Sequence, residues 1–175
     1  EIKRFEMYLN IDELAYPFFN SMNRFFELVE TKYNCKVLIA AHPSSQYKTN
    51  PFNGREIIYG KTAELVKDSI AVCMHATNAT SYVTLFDKPA LIVHNKAIRE
   101  SKRLWSMMQL SSELVGFNMV DTDIVKEEDL NFSKANREKR NNYILTYFDS
   151  LEQSLPLNSE LLVKYLNEIW IEFYK

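Results

Sequence analysis

From Asp12 to about Tyr33 the apolar positions Leu14, Phe18, Met22, Phe25, Phe26 and Val29 recur at helical spacing, which predicts an amphipathic helix. Pro17 lies within it, marking either its true start or a kink. The pattern then changes. Val37-Leu38-Ile39-Ala40-Ala41 is a short unbroken apolar run that stops at His42-Pro43, as expected of a parallel strand covered on both faces. A polar loop from Ser44 to Arg55 leads to a short strand at Glu56–Tyr59, closed by Gly60. Thr62 to Asp68 reads as a short helix. Ile70 to His75 is the second buried-strand run, followed by the cap-rich Ala76-Thr77-Asn78-Ala79-Thr80-Ser81 and a helix through Phe86. Pro89 ends that helix, and Ala90 to Val93 forms a third strand that stops at His94-Asn95.

A helix from about Ile98 to Leu114 with Gly116 as its C-cap, then a strand at Phe117–Val120, complete the alternation. From Asp129 onward the pattern is helical: a charged stretch containing Lys134 to Arg140, a segment from Tyr143 to Leu155, and, beyond Pro156, a last helix capped by Asn158 or Ser159. Leu162, Leu166, Ile169, Trp170 and Phe173 give that last helix an apolar stripe. Strands alternating with helices predict βαβ units, hence a Rossmann-like α/β domain: a mainly parallel, open sheet with helices on both faces. Residues 1–175 read as one domain, with 129–175 as a helical C-terminal extension.

Composition narrows the function classes. Twenty-one Lys and Arg against 23 Asp and Glu leave a net charge of −2, so no general attraction to nucleic acid is expected. Two cysteines, Cys35 and Cys73, are too few for a disulfide scaffold or a four-thiolate zinc site. No apolar run has the length of a membrane span, and a cytoplasmic setting is expected. The chain has three glycines, at 54, 60 and 116, and lacks the Gly-x-Gly-x-x-Gly fingerprint, the P-loop and the Gly-x-Ser-x-Gly elbow that Ser44 or Ser45 would need as a nucleophile.

In open α/β sheets ligands bind beyond the carboxyl ends of the strands. That rule selects His42-Pro43, the turn from Ala76 to Ser81, and His94-Asn95. A turn rich in hydroxyls and running into a helix offers backbone N–H groups and side-chain donors to a phosphate; the same residues also cap helices with no ligand at all. His42 has an imidazole suited to a phosphate oxygen, or to a neighbouring carbonyl. Lys61 follows a strand end and suits phosphate, and Glu64 suits a ribose hydroxyl, though both also suit an exposed helix surface. The three histidines match no local metal spacing, so no metal site is expected.

Ala41-His42-Pro43, the stretch Tyr59 to Ser69, His75 through Ser81, and Asp87-Lys88-Pro89-Ala90-Leu91 together resemble the C-terminal half of a GT-B glycosyltransferase. More narrowly, it resembles bacterial surface and capsular polysaccharide transferases, and the two motifs are similar to the His-Pro and Ser/Thr motifs of bacterial sialyltransferases and polysialyltransferases. The resemblance spans roughly residues 12 to 125. It implies a donor-nucleotide domain in which the His42-Pro43 pair and the hydroxyl turn contact the nucleotide phosphate; with Lys61 and Glu64, read from their positions, the candidate nucleotide site is His42, Pro43, Lys61, Glu64, Thr77, Asn78, Thr80 and Ser81. In that group the hydroxyl motif is two adjacent Ser/Thr residues, whereas here Asn78 and Ala79 separate Thr77 from Thr80-Ser81. The donor is therefore open among CMP-, UDP- and GDP-sugars.

The resemblance further implies no cofactor, an N-terminal domain of the same enzyme that supplies the catalytic base, and a glycan or lipid-linked acceptor. It implies that this half is inactive alone and works in the cytoplasm or at the inner face of the membrane. Two other readings stand beside it: a domain like that of nucleotide-sugar epimerases, and a non-catalytic α/β module that binds a partner protein through its last helices.

Overall fold

The computed structural model describes residues 11–148, apart from 43 and 76. The chain divides into two compact units, Glu1–Arg140 and Asn141–Lys175. The expected helix beyond Pro156, with its Trp170 and Phe173 stripe, lies outside the described residues.

The first unit begins with α1 (Ile11–Tyr33), whose interior includes Pro17. Next come β1 (Ile39–Ala41), β2 (Ile57–Tyr59), α2 (Thr62–Asp68), β3 (Val72–Met74), α3 (Ala79–Leu85) and β4 (Ala90–His94). The chain continues through α4 (Lys96–Glu100), α5 (Lys102–Val115), β5 (Asn118–Asp121), a 3₁₀ turn at Glu127–Asp129 and α6 (Arg137–Phe148), which ends in the second unit.

Every ladder between the named strands is parallel. The sheet is not continuous among the described residues: β1 pairs with β2, and β3-β4-β5 form a separate three-stranded group. The two groups meet through side chains instead. Met22, Phe25, Phe26 and Val29 of α1 pack with Leu91 and Val93 of β4 and Val120 of β5, and Ile39, Ile57 and Cys73 join the same cluster. Successive strand residues point to opposite faces. Leu91 and Val93 therefore face α1, while His94 turns the other way and meets Trp105 of α5, with ring centroids 4.9 Å apart. Helices thus cover both faces of the three-stranded group, and all five residues of β4 are buried.

Two expected elements differ. The single helix predicted over 98–114 is two, because Ser101 takes an extended backbone (φ −86°, ψ 99°) and uses its hydroxyl to cap α5. The charged helix predicted to contain Lys134–Arg140 starts only at Arg137. Ahead of it Ser133 forms an antiparallel bridge with Ala90, extending the chain where a helix was expected. Nor is the basic stretch simply a solvated face. Lys139 donates to the Glu113 carbonyl in the last turn of α5, and Arg140 donates to the Thr84 and Leu85 carbonyls that end α3. These cations satisfy carbonyls that have no partner within their own helices.

Candidate functional site

The N-terminal part of α1 lies beside the carboxyl ends of β1 and β3. Its adjacent rings Phe18 and Phe19 touch the segments that leave them: Phe18 meets His75 just after β3 at 6.2 Å, and Phe19 meets Tyr47, in the loop after β1, at 6.5 Å. The loops holding the two sequence motifs therefore share one helix surface. Along the same helix, Ser21 and Thr122 have hydroxyls 2.7 Å apart just after β5, and Arg24 donates to the Thr122 carbonyl.

His42 is exposed at the end of β1. Its Nδ1 accepts from the Ser44 backbone N–H at 3.2 Å and lies 2.6 Å from the Ser44 hydroxyl. With Nδ1 an acceptor, the neutral ring carries its proton on Nε2 and offers an outward donor. Pro43 lies outside the described residues.

In the turn after β3, Thr77 Oγ1 accepts from the Ala79 N–H at 3.1 Å. Thr80 is buried, and its hydroxyl donates to the Thr77 carbonyl at 3.1 Å, close to the Met74 sulfur. That proton is turned into the protein and away from any ligand. Asn78 occupies the N-cap position of α3 without a side-chain cap bond, and its side chain is exposed. The Ser81 N–H donates to the Asn78 carbonyl, and the residue is half-buried. Lys61, the residue just before α2, and Glu64, in its first turn, are exposed, and α2 packs against α3 and β1. His42 with Ser44, the Thr77–Ser81 turn, and Lys61 with Glu64 are thus three local groups on neighbouring elements.

Of the densest polar cluster the sequence pattern selects only His94-Asn95, and Arg99, Asp121 and Asp123 go unmarked. The cluster lies at the carboxyl ends of β4 and β5, where His94, Asn95, Arg99, Asp121 and Asp123 meet. Arg99 Nη1 contacts His94 Nδ1 at 3.0 Å and donates to Asp121; its Nη2 lies 3.9 Å from Asp123. Asp123 also accepts from the Lys96 N–H at 2.7 Å. Burial works to raise the pKa of Asp123, yet hydrogen bonds from the Ser21 hydroxyl and the Lys96 amide, with Arg99 and Arg24 nearby, hold it below the usual carboxylate range. Asn95 caps α4 through its Oδ1, while its buried Nδ2 has no hydrogen-bond partner among the described residues. The available signal was the pair of acids in Asp121-Thr122-Asp123 directly after the last strand, beside the His94-Asn95 strand end.

Thiol chemistry finds no support. Burial raises the Cys35 thiol, with Glu30 adding to the effect, and burial pushes Cys73 up to about 12. Both stay protonated at neutral pH and are weak nucleophiles. His75 keeps a solvent-accessible edge although its ring is set among neighbouring atoms, and burial lowers its pKa. Among the described residues no group of three or more His, Cys, Asp and Glu side chains is placed to hold a metal ion. Nor is any described helix long and apolar enough to cross a membrane.

A shallow depression of about 340 Å³ lies at the opposite, amino end of β1 and β2, bordered by Glu30, Lys36, Asn53, Arg55 and Glu56. Its charges satisfy one another: Arg55 with Glu30 at 2.6 Å, Lys36 with Glu56 at 3.1 Å. It therefore offers little to a ligand. No protein-family model, curated protein or solved structure matches this chain.

Proposed function

We propose that the chain is the donor-nucleotide domain of a glycosyltransferase of surface or capsular polysaccharide synthesis, holding the phosphate of a nucleotide-sugar at the carboxyl ends of β1 and β3. One observation carries the reading: Ser44 fixes the exposed His42 with Nδ1 as acceptor, so its Nε2–H is a free donor at a strand end. Asn78 and Lys61 add exposed donors on α3 and α2, and Glu64 is the candidate for a ribose hydroxyl. Thr77 and Ser81 shape the turn, and Thr80 braces it from inside.

Negative charge grows on the nucleotide phosphate as the glycosidic bond breaks. Donors already in position stabilise that charge without reorganising during the step. Their contribution is electrostatic, and no residue of this chain is assigned the proton abstraction from the acceptor.

Thermal unfolding of the full chain with CMP, UDP and GDP at millimolar concentration tests the proposal. A ligand that binds only the folded state stabilises it, by about 2.7 kcal/mol at one hundred times its Kd. One nucleotide is expected to raise Tm, and His42→Ala is expected to lose that rise while unfolding at the same temperature without ligand. A flat response to all three nucleotides overturns the reading. A rise that survives His42→Ala removes His42 from the site.

A further inference from the structure

We propose that His94 is an acid-sensitive latch: while neutral it accepts a hydrogen bond from Arg99 and holds α4 against the carboxyl ends of β4 and β5, and on protonation it gives up that bond, repels the guanidinium and loosens α4, which Arg99 still ties to Asp121. The inference is independent of the nucleotide reading.

The chemistry of the pair dictates the protonation state. A guanidinium has only donors and keeps its charge, so the 3.0 Å contact between Arg99 Nη1 and His94 Nδ1 requires an unprotonated Nδ1. The proton of the neutral ring therefore sits on Nε2. The second N–H of Arg99 Nη1 goes to Asp121. His94 is 8% exposed, with the Trp105 ring against it at 76°. Adding a proton at Nδ1 removes the acceptor, places two cations side by side and leaves the imidazolium largely without water.

The charged groups around His94 come from α4, β5 and the segment just after β5. Arg99 on α4 opposes protonation, Asp121 on β5 and Asp123 beyond it favour it, and α5 contributes the uncharged Trp105 ring. Burial lowers the pKa of His94 and Arg99 lowers it further, against the two aspartates.

α4 is the part that gives way. It has five residues, too few to be stable without tertiary support. Its anchors are the buried Ile98 side chain, the Asn95 cap on the Ile98 N–H, the Lys96 N–H to Asp123, and Arg99, which is shared between His94 and Asp121; protonation of His94 weakens the last of these. The strand that carries His94 is buried along its whole length and paired on both sides, so it stays in place.

Nitrogen-15 NMR of the imidazoles in the full chain reads this directly, with His94 assigned by the signals missing from His94→Gln. The Nε2–H tautomer is expected near neutral pH, with a titration midpoint below 6.5. Arg99→Gln should raise that midpoint and Asp121→Asn should lower it, each by about one pH unit. Amide exchange across Lys96–Glu100 should accelerate severalfold below the midpoint in the parent chain, and not in His94→Gln. An Nδ1–H tautomer, a midpoint at or above 6.5, or equal acceleration in His94→Gln overturns the latch. His42→Gln and His75→Gln assign the other two rings, so the tautomer and midpoint of His94 are read in the unsubstituted chain and decide even where His94→Gln does not fold.

Discussion

Arg55 carries a permanent charge on a side chain only 9% exposed, and Glu30 answers it with both carboxylate oxygens, at 3.0 and 2.6 Å. Hydrogen bonds from Arg55 hold the Glu30 carboxyl below its usual range, against the effect of burial and with help from the Val37 N–H. Removing Glu30 leaves an uncompensated, nearly buried cation. Partial exposure of the carboxylate softens the loss, so Glu30→Ala should cost about 2 kcal/mol, measured by urea unfolding; a change of a few tenths would show the pair to be incidental. The pH dependence follows from the same kind of reasoning. His75 and His94 both have folded pKa values lowered from 6.5 by burial, so the unfolded chain takes up protons first as pH falls. Stability should be level above about pH 7 and decline below 6.5 as these two rings stay neutral in the fold. Glu30 and Asp123 are lowered from 4.5 and 3.8, so what they contribute is present above those values and is lost at lower pH. Urea midpoints measured from about pH 8 to 2 check the order of these two declines; a stability that rises between about pH 6.5 and 5 contradicts the assignment of the histidines. At this scale the sequence offered residue types and strand-end positions, but not orientation. Thr80 and Ser81 are adjacent hydroxyls in the sequence, yet Thr80 spends its proton on the Thr77 carbonyl, a choice fixed by the turn's φ and ψ and by burial against Met74.

Helix ends account for much of what holds the elements in register. The C-terminal residues of α3 and α5 leave carbonyls without intrahelical partners, and Arg140 and Lys139 reach them from the start of α6. Arg140 makes two such bonds with a side chain 26% exposed, so Arg140→Ala should destabilise the fold by about 1.5 kcal/mol. Arg140→Lys, which cannot reproduce the guanidinium fork, should recover only part of it. Equal stabilities of the parent and Arg140→Ala by urea midpoint would show that water serves those carbonyls as well. Gly116 ends α5 at φ +80°, and a Cβ there would meet Asn136 Cβ at 3.2 Å. Gly116→Ala should cost about 1–2 kcal/mol from the left-handed backbone alone. The Gly116 cap was legible because glycine is the residue that such an end requires. The break at Ser101 was not, since a serine that caps a helix and a serine inside one look alike until the backbone is seen.

The alternation of strands and helices was legible across the described chain because apolar runs of three to five residues, bounded by caps and turns, have few other uses. Their pairing was not, because an apolar run records that a strand is buried and not which strand lies beside it. Hence the expected single sheet is two hydrogen-bonded groups, joined by one apolar cluster in which α1 touches both. That arrangement makes Leu91 the point where a small change should be felt everywhere. It is fully buried at the middle of the cluster, on the strand that pairs with both β3 and β5. Leu91→Ala should cost about 2–5 kcal/mol, through lost burial plus the cavity left among α1 and the strands. The loss should be shared: β1–β2 has no ladder to the other strands among the described residues, yet Ile39 and Ile57 depend on the same cluster. Urea unfolding followed by far-ultraviolet dichroism, and by amide exchange of β2 and β4 separately, should therefore show one coincident transition, moved to lower urea in the variant. If β2 keeps its parent midpoint while β4 shifts, the shared cluster does not couple the two groups, and the first unit folds as two parts.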